Sequence, residues 1–169
     1  EVAGLSEPRF SAENAKKGLW APFDFLIDAG IGIYFLEPYD PEKIPVLFIY
    51  GAGGGPRDWA YFVDNLDRKR FQPWFFFYPS GERLESLARV LHGILGDLRT
   101  RYQFPVLYLT AHSMGGLIAR DFIQRQVASG DAFVPLLVTL STPWSGLESA
   151  TLPATVDTST CERMMDRLE

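Results

Sequence analysis

An α/β fold with a mostly parallel β-sheet and helices on both faces is predicted for this 169-residue chain. Short continuous apolar segments, rich in β-branched and aromatic residues, alternate with longer segments whose apolar residues recur at helical spacing. Such alternation requires crossover connections, which place helices on the faces of a parallel sheet. In addition, glycine- and serine-rich turns follow several apolar segments, so polar groups collect at the carboxyl ends of the strands.

The first half of the chain yields five predicted elements. A short helix at 12–20 follows a polar start, and a strand at 31–36 leads into a turn-rich connection. The strand at 46–50 is wholly apolar and precedes the glycine-rich run 51–55. A helix is predicted at 56–66 because proline occupies its first turn and its apolar residues have helical spacing. The last element of this half is a buried strand at 74–78.

The second half repeats the alternation. Residues 84–102 carry seven apolar positions at helical spacing, which predicts an amphipathic helix. A strand at 106–110 runs directly into a helix at 114–128, and a further strand is predicted at 136–140. Residues 147–169 differ in character, since a Thr- and Ser-rich stretch precedes a short helix at 161–168.

Length and composition favour one globular domain, residues 1–169, with the segment 147–169 as a divergent tail that is a candidate lid or truncated end. A chain of this size buries roughly 70% of its unfolded surface, and 47% hydrophobic residues with 22% charged residues argue against disorder. The aromatic fraction of 14% is high, and the predicted strands at 46–50 and 74–78 supply much of it.

Charge and residue counts exclude several function classes. With 16 basic and 21 acidic residues the net charge is −5, so a nucleic-acid partner is not expected. One cysteine, Cys161, and two histidines, His92 and His112, argue against an internal disulfide or a metal site, and no cofactor is expected. No apolar stretch reaches the ~20 residues of a membrane span. No signal peptide is recognised after Glu1, and the compartment stays open.

Ser113 is the most informative residue because an apolar strand runs into a serine and then into a helix. Small residues, Ala111 and Gly115, stand two positions on either side of it, which is the pattern of a nucleophile elbow with alanine at the first small position. Bulky side chains at these positions would collide across so sharp a turn. The N-terminus of the following helix would direct N–H groups toward an oxyanion.

Three ordered segments resemble the α/β-hydrolase superfamily, and more narrowly its bacterial lipase and esterase-like serine hydrolases. The first is Pro45-Val-Leu-Phe-Ile-Tyr-Gly51, similar to a strand that ends in His-Gly in that family. The second is the elbow Ala111-His-Ser-Met-Gly-Gly116, and the third is Leu140-Ser-Thr-Pro-Trp-Ser-Gly146, similar to a Gly-Thr-Pro-His turn of lipases. The resemblance covers roughly residues 30–147.

The resemblance implies a catalytic serine, Ser113, and an oxyanion hole formed by the backbone N–H groups of Ala52 and Met114. Tyr50 stands where the family usually has a histidine that supports the oxyanion loop. The family places its acid and then its histidine after the serine, but no histidine follows residue 112 here. The triad acid and histidine are therefore unknown, and the chain looks like a hydrolase core that lacks its last strands.

Other interpretations of the same residues are weighed. The glycine run is not a phosphate-binding loop, since no Lys-Ser/Thr follows it, and a dinucleotide fold needs an acidic residue where the next strand ends in Tyr78 and Pro79. Three tail carboxylates are candidate triad acids but are better explained as solvated charges or helix caps, namely Asp157, Glu162 and Asp166. Trp59 and Trp144 line a pocket or simply pack.

The functional hypothesis is hydrolysis of carboxylic esters, of small molecules or lipids, through an acyl-enzyme on Ser113. The alternative is a non-catalytic protein, a truncated or degenerate hydrolase fold that binds or assembles through an exposed sheet edge. Self-association and a completing C-terminal segment are the partners considered. An amidase or lactonase on the same scaffold is not separable from an esterase by sequence.

Overall fold

The structure is a computed structural model, and it describes residues 1–146. The strands are β1 (Gly32–Phe35), β2 (Ile44–Ile49), β3 (Phe71–Phe77), β4 (Tyr108–His112) and β5 (Leu136–Leu140). The helices are α1 (Ala12–Trp20), α2 (Pro22–Asp28), α3 (Ala60–Asp64), α4 (Leu84–Tyr102) and α5 (Met114–Ser129), with 3₁₀ turns at Pro8–Phe10 and Pro56–Trp59. The tail 147–169, with its predicted helix, its candidate acids and Cys161, lies outside the described residues.

The five strands form one sheet in the order β1-β3-β2-β4-β5. Four of them run parallel, and β1 pairs antiparallel with β3 at the sheet edge. The fold class predicted from the sequence, a mostly parallel sheet with helices, is confirmed. Because β2 lies beside both β3 and β4, the loops that follow these three strands meet at one edge.

Alternate residues of each strand face two different helical layers. Leu47 and Ile49 of β2 belong to the larger core, in which residues of α4 and α5 also pack. Val46 and Phe48 point to the opposite side and pack with Trp59 in a smaller core. This alternation buries β2 and β3 on both faces, which explains their nearly continuous apolar sequences.

The two helical layers cover the middle of the sheet more completely than its β5 edge. Six of the seven residues of β3 are buried, whereas none of the five residues of β5 is. Leu136 and Val138 are 44% and 42% exposed, although both are apolar strand residues. Leu140, on the same side of β5, packs at the margin of the smaller core. Residues 1–146 thus leave one side of the β5 edge largely uncovered.

Two sequence predictions about helices were wrong. The single helix predicted at 56–66 is a 3₁₀ turn followed by the short helix α3. The Asp58 carboxylate accepts the Gly55 N–H at 2.8 Å, which holds the first turn in its tighter form. Helix α2 was not predicted at all, although Pro22 provides a helix start signal. Its Phe25 is fully buried against Phe77, with ring centroids 4.8 Å apart.

The remaining element predictions differ only at their ends. Helices α1 and α4 and strand β5 have the predicted bounds, and α5 extends one residue beyond the prediction, to Ser129. Strands β2 and β3 start earlier than predicted, and β4 starts two residues later and ends at His112. Across residues 1–146, no helix has both the length and the apolar character that crossing a bilayer requires.

Candidate active site

Ser113 occupies a sharp turn between the end of β4 and the start of α5. Its backbone has φ 50° and ψ −127°, a conformation that non-glycine residues rarely adopt. Its N–H donates to the Leu140 carbonyl at 2.8 Å, and its own carbonyl accepts the Gly116 N–H at 3.0 Å. Backbone strain of this kind costs about 1–3 kcal/mol and is found where the surrounding structure enforces it.

Small residues make this turn sterically feasible. A Cβ atom at Gly115 would lie 2.4 Å from the Tyr50 carbonyl oxygen and 2.5 Å from that of Ile49. At Gly116 it would lie 2.1 Å from the Thr142 hydroxyl oxygen. Ala111, on the other side of the serine, is completely buried. The residues flanking Ser113 therefore pack against β2 and against the segment that follows β5.

The Ser113 side chain lies against the glycine-rich run that follows β2. A Cβ atom at Gly51 would lie 2.8 Å from the Cβ of Ser113 and 3.3 Å from its Oγ. Glycine at position 51 thus permits the close approach of this loop to the serine. Ser113 and the loop 51–55 are far apart in sequence and are brought together because β2 and β4 are neighbours in the sheet.

Some but not all N–H groups of the loop 51–55 donate hydrogen bonds within residues 1–146. That of Gly53 donates to the Ser80 hydroxyl at 2.9 Å, that of Gly54 to the Gly51 carbonyl at 3.2 Å, and that of Gly55 to Asp58. Within residues 1–146, no hydrogen bond uses the N–H of Ala52. This donor is therefore free to bind a ligand beside Ser113.

The N–H of Met114 is the second free donor. Met114 is the first residue of α5, where backbone N–H groups have no partner inside the helix. No hydrogen bond from this group is present in the described part of the chain. The partial positive charge of a helix N-terminus adds to its affinity for an anion. Ala52 and Met114 are thus the kind of donors that an oxyanion hole requires.

Tyr50 and Tyr78, at the ends of β2 and β3, form a reciprocal pair behind this loop. Their rings stack with centroids 4.3 Å apart and an interplanar angle of 4°. The Tyr50 hydroxyl accepts the Tyr78 N–H at 2.7 Å and donates to the Tyr78 carbonyl, while the Tyr78 hydroxyl donates to the Tyr50 carbonyl. Burial raises the pKa of both hydroxyls well above the usual value, so both stay protonated.

Neither histidine is placed to activate Ser113. His112 precedes the serine and lines a neighbouring cleft, and no hydrogen bond joins the two side chains within the described residues. His92 lies on α4, where its ring packs against Phe122 with centroids 6.1 Å apart. The Ser113 hydroxyl has no hydrogen-bond partner in residues 1–146. Residues 1–146 therefore contain no general base in contact with it.

A cleft of about 210 Å³ opens beside this turn. Its walls include Trp59 and Phe62, from the segment after the glycine-rich loop, and Leu140 at the end of β5. Trp59 is also a core residue, 2% exposed and 5.0 Å from the Phe48 ring, so both readings of this residue, pocket wall and packing, apply. Trp144 is 46% exposed and is not among the lining residues.

Two supporting residues of this site were not found from the sequence. Ser80 holds the Gly53 N–H, and Tyr78 pairs with Tyr50. The signal was present in the run Tyr78-Pro-Ser-Gly81, a polar turn after a buried strand, but its link to the loop 51–55 depends on β2 and β3 being neighbours.

No protein-family model and no curated protein matches this sequence. Several solved structures match by shape. The mature lipase BlEst2 of Bacillus licheniformis superposes with a TM-score of 0.55 and 19% identity, over 66% of this chain and 46% of that one. A gene product of Listeria innocua superposes with a TM-score of 0.53 and 22% identity, over 63% of this chain and 54% of that one. The type II thioesterase BorB of the borrelidin cluster superposes with a TM-score of 0.53 and 23% identity, over 66% of this chain and 49% of that one.

These matches, with the sheet order and the turn at Ser113, show that the chain has the α/β-hydrolase fold. Its similarities are to lipases, esterases and thioesterases, which are hydrolases of this fold. The chain spans about half the length of the solved structures it resembles. The described residues lack the last strands of that fold.

Proposed function

We propose that this chain is the nucleophile-bearing part of a serine hydrolase that cleaves carboxylic esters. One observation carries the proposal: the strained backbone of Ser113 holds its side chain against a loop whose Ala52 N–H is unpaired, beside the equally unpaired N–H of Met114. A reactive hydroxyl next to two free donors is the arrangement that acyl transfer requires.

The proposed reaction begins with attack of Ser113 Oγ on the ester carbonyl carbon. The new C–O bond converts the carbonyl oxygen to an oxyanion, which the N–H groups of Ala52 and Met114 bind. Collapse of this intermediate breaks the bond to the alcohol, which leaves with the proton from Ser113. Water then attacks the acyl carbon of the acyl-enzyme, the acyl group leaves as a carboxylic acid that contains the water oxygen, and a proton from the water returns to Ser113 Oγ. One such N–H donor is typically worth about 3–4 kcal/mol in the transition state.

The chemistry of the cleft supports an acyl or alkyl group as ligand. Its walls are mainly aromatic and aliphatic, including Trp59, Phe62 and Leu140, and it adjoins His112 next to the nucleophile. The solved structures of similar shape include a lipase and a thioesterase, both of which act on acyl carbonyl groups. An apolar cleft beside a carbonyl-binding site suits such substrates.

The proposal requires a base and an acid that residues 1–146 do not place at Ser113. We assign this role to a completing segment beyond the described core, docked at the side of β5, where Leu136 and Val138 are exposed. Without the base the serine is a weak nucleophile, and losing a triad member lowers turnover by about 10⁴-fold or more. Acylation of the isolated chain is therefore expected to be slow, and turnover slower still.

The direct test is acylation by an activated ester. The chain is incubated with an excess of p-nitrophenyl butanoate, and the butanoyl group is located by peptide mass spectrometry. We expect the adduct on the peptide that contains Ser113, and no adduct at this peptide in Ser113→Ala. Extension of the chain by its natural C-terminal continuation, where one exists, should then raise turnover.

Ser141 provides a matched control. It also follows a strand, has a positive φ of 50° and is exposed, but it does not precede a helix. Ser141→Ala should acylate like the natural chain. Acylation that persists in Ser113→Ala, or that moves to Ser141, would contradict the proposed nucleophile.

A binding or assembly module is the second candidate function, and it is favoured by the edge of β5, which pairs with no other strand of the described core. β5 is the last strand of the sheet, with two half-exposed apolar side chains on one face. Such an edge is a template for another strand. If it mediates self-association, Val138→Lys should convert oligomers to monomers in light scattering. An unchanged molar mass would exclude this route.

A further inference from the structure

The stacked pair Tyr50–Tyr78 links the two strand ends nearest to the candidate oxyanion loop. We infer that this pair is a positioning device that sets where the Ala52 N–H points relative to Ser113. The inference rests on the proposed function and assigns Tyr50 and Tyr78 a role in it that acts through the position of the loop 51–55.

The loop is held on both sides of Ala52 by the same turn. Before Ala52, the carbonyl of Tyr50 accepts the Tyr78 hydroxyl. After Ala52, the N–H of Gly53 donates to the hydroxyl of Ser80, two residues beyond Tyr78, at 2.9 Å. The peptide that carries the Ala52 N–H thus lies between two peptides that are hydrogen-bonded to the end of β3 and to the turn after it.

The Tyr50 carbonyl is also confined from the side of the nucleophile. A Cβ atom at Gly115 would lie 2.4 Å from this oxygen, so the first turn of α5 passes directly against it. The Tyr50 peptide is therefore clamped between the Tyr78 hydroxyl and the helix that begins after Ser113. Any shift of this carbonyl would move the loop and the serine relative to one another.

Burial makes the pair stiff. Tyr50 and Tyr78 are 2% and 1% exposed, and Tyr78 also stacks on Phe76 with centroids 4.7 Å apart. Removing one hydroxyl leaves a buried backbone group without its partner, and buried polar groups that lose a partner tend to find another by local rearrangement. In Tyr78→Phe this group is the Tyr50 carbonyl, at the start of the loop, and in Tyr50→Phe it is the backbone of Tyr78, two residues before Ser80. Since the rings remain in place in both variants, we expect the rearrangement in the loop and in the turn that holds Gly53.

The test compares Tyr78→Phe and Tyr50→Phe with a matched control, Tyr34→Phe. Tyr34 is equally a buried strand tyrosine, 7% exposed, but its hydroxyl accepts a bond from Arg9 at 3.1 Å and serves no group of the loop. Two readouts are taken on the full chain. The first is the rate of acylation by p-nitrophenyl butanoate over a range of ester concentrations, and the second is the backbone ¹H–¹⁵N spectrum.

The expected result has three parts. Both variants acylate at least ten-fold more slowly at saturating ester, with the half-saturating concentration changed less than two-fold. The amide signals of Ala52 and Gly53 shift or broaden, and those on α4, such as Leu91, do not. Tyr34→Phe changes neither readout. Acylation at the natural rate with unshifted loop signals would overturn the inference.

The two readouts separate this inference from the proposed function. If the natural chain shows no acylation at Ser113, the proposed function fails, and the amide spectra alone decide on the pair. Loop signals that move in Tyr78→Phe would then uphold the positioning role, and signals that stay in place would refute it. A variant that only unfolds at lower temperature, with normal acylation below that temperature, would show a merely structural pair and would refute it too.

Discussion

The two halves of the sheet differ in how completely they are built. On the side of β3 and β2, side chains are buried on both faces, and the turns that follow these strands hold one another through Tyr50, Tyr78 and Ser80. On the side of β5, apolar side chains are half exposed, and the strand edge has no partner strand among residues 1–146. Ser113 lies at the boundary, with its N–H bound to Leu140 of β5.

This difference parallels two separate tasks in the proposed mechanism, which are binding of the oxyanion and activation of the serine. The donors for the oxyanion come from the completed half, from Ala52 and from the start of α5. Residues 1–146 place no general base or acid in contact with Ser113, and in the proposed mechanism a segment at the β5 side supplies them. The proposal therefore separates positioning of the nucleophile, which it assigns to residues 1–146, from its activation, which it assigns to that segment.

The largest expected effect is a difference in stability between variants at two apolar strand residues, one on β3 and one on β5, that lie on the same side of the sheet. Phe75→Ala on β3 removes a ring that is 1% exposed and stacks near Phe48 at 5.6 Å. It should lower the free energy of unfolding by about 3–5 kcal/mol. Val138→Ala on β5 should change it by less than about 1 kcal/mol, because the side chain is already 42% exposed. Urea unfolding followed by circular dichroism measures both.

Equal losses at the two positions would contradict the comparison. They would mean that the β5 side is covered in solution, by the tail or by another copy of the chain. Repeating the urea titration at ten-fold lower protein concentration separates these two cases, since only the second depends on concentration.

The second prediction concerns two helical glycines. Gly115→Ala forces a methyl group against the Tyr50 carbonyl and should cost about 3 kcal/mol of stability. Gly96→Ala on α4 is its control, because no atom lies within 4 Å of the added methyl group. There the substitution should stabilise the protein by about 0.5–1 kcal/mol. Thermal unfolding of both variants checks the contrast, and a stable Gly115→Ala would show that α5 does not press on β2.

Much of the fold could be predicted from periodicity alone. The apolar face of α4 predicted its bounds, and the β-prone run Leu-Leu-Val-Thr-Leu predicted the five residues of β5. The antiparallel direction of β1 could not be predicted, because the apolar pattern of a strand does not indicate whether it runs parallel or antiparallel to its neighbour. Helix α2 is only seven residues long, too short for a periodic signal, and it is stabilised by burial of Phe25.

The site was predicted less completely, for a physical reason. Ser113 and its small neighbours form a local pattern, so the sequence indicates a turn there. That the N–H of Ala52 is a free donor depends instead on tertiary hydrogen bonds. The Ser80 hydroxyl accepts the Gly53 N–H and the Asp58 carboxylate accepts the Gly55 N–H, and neither binds Ala52. The pairing of Tyr50 with Tyr78 joins residues 28 positions apart. Such contacts depend on strand order, which the sequence does not display.

The smallest expected effect is a loss of stability in alkali. Burial raises the pKa of Tyr50 and Tyr78 in the folded chain, while in the unfolded chain both lose protons near pH 10. Above pH 10 the unfolded state therefore binds fewer protons, and stability falls as pH rises. Relative to pH 8, the pair should account for about 1.5 kcal/mol of loss at pH 10.5.

The double variant Tyr50→Phe/Tyr78→Phe measures this contribution. Its free energy of unfolding, lower at neutral pH, should decline less steeply between pH 9 and 10.5 than that of the natural chain. Tyr34→Phe is the control for the general effect of losing a tyrosine. Parallel declines in all three proteins would show that the pair does not hold its protons in the folded state.

The central claim is that Ser113 is a nucleophile presented beside free backbone donors, and reaction with a fluorophosphonate tests it most directly. The reagent forms its bond to the serine oxygen and places an oxygen where an oxyanion would lie. We expect a single adduct, mapped to Ser113 by peptide mass spectrometry and absent in Ser113→Ala, with Ser141 unmodified. A folded chain that gains no adduct under prolonged excess of reagent, or gains it at another residue, would contradict the account.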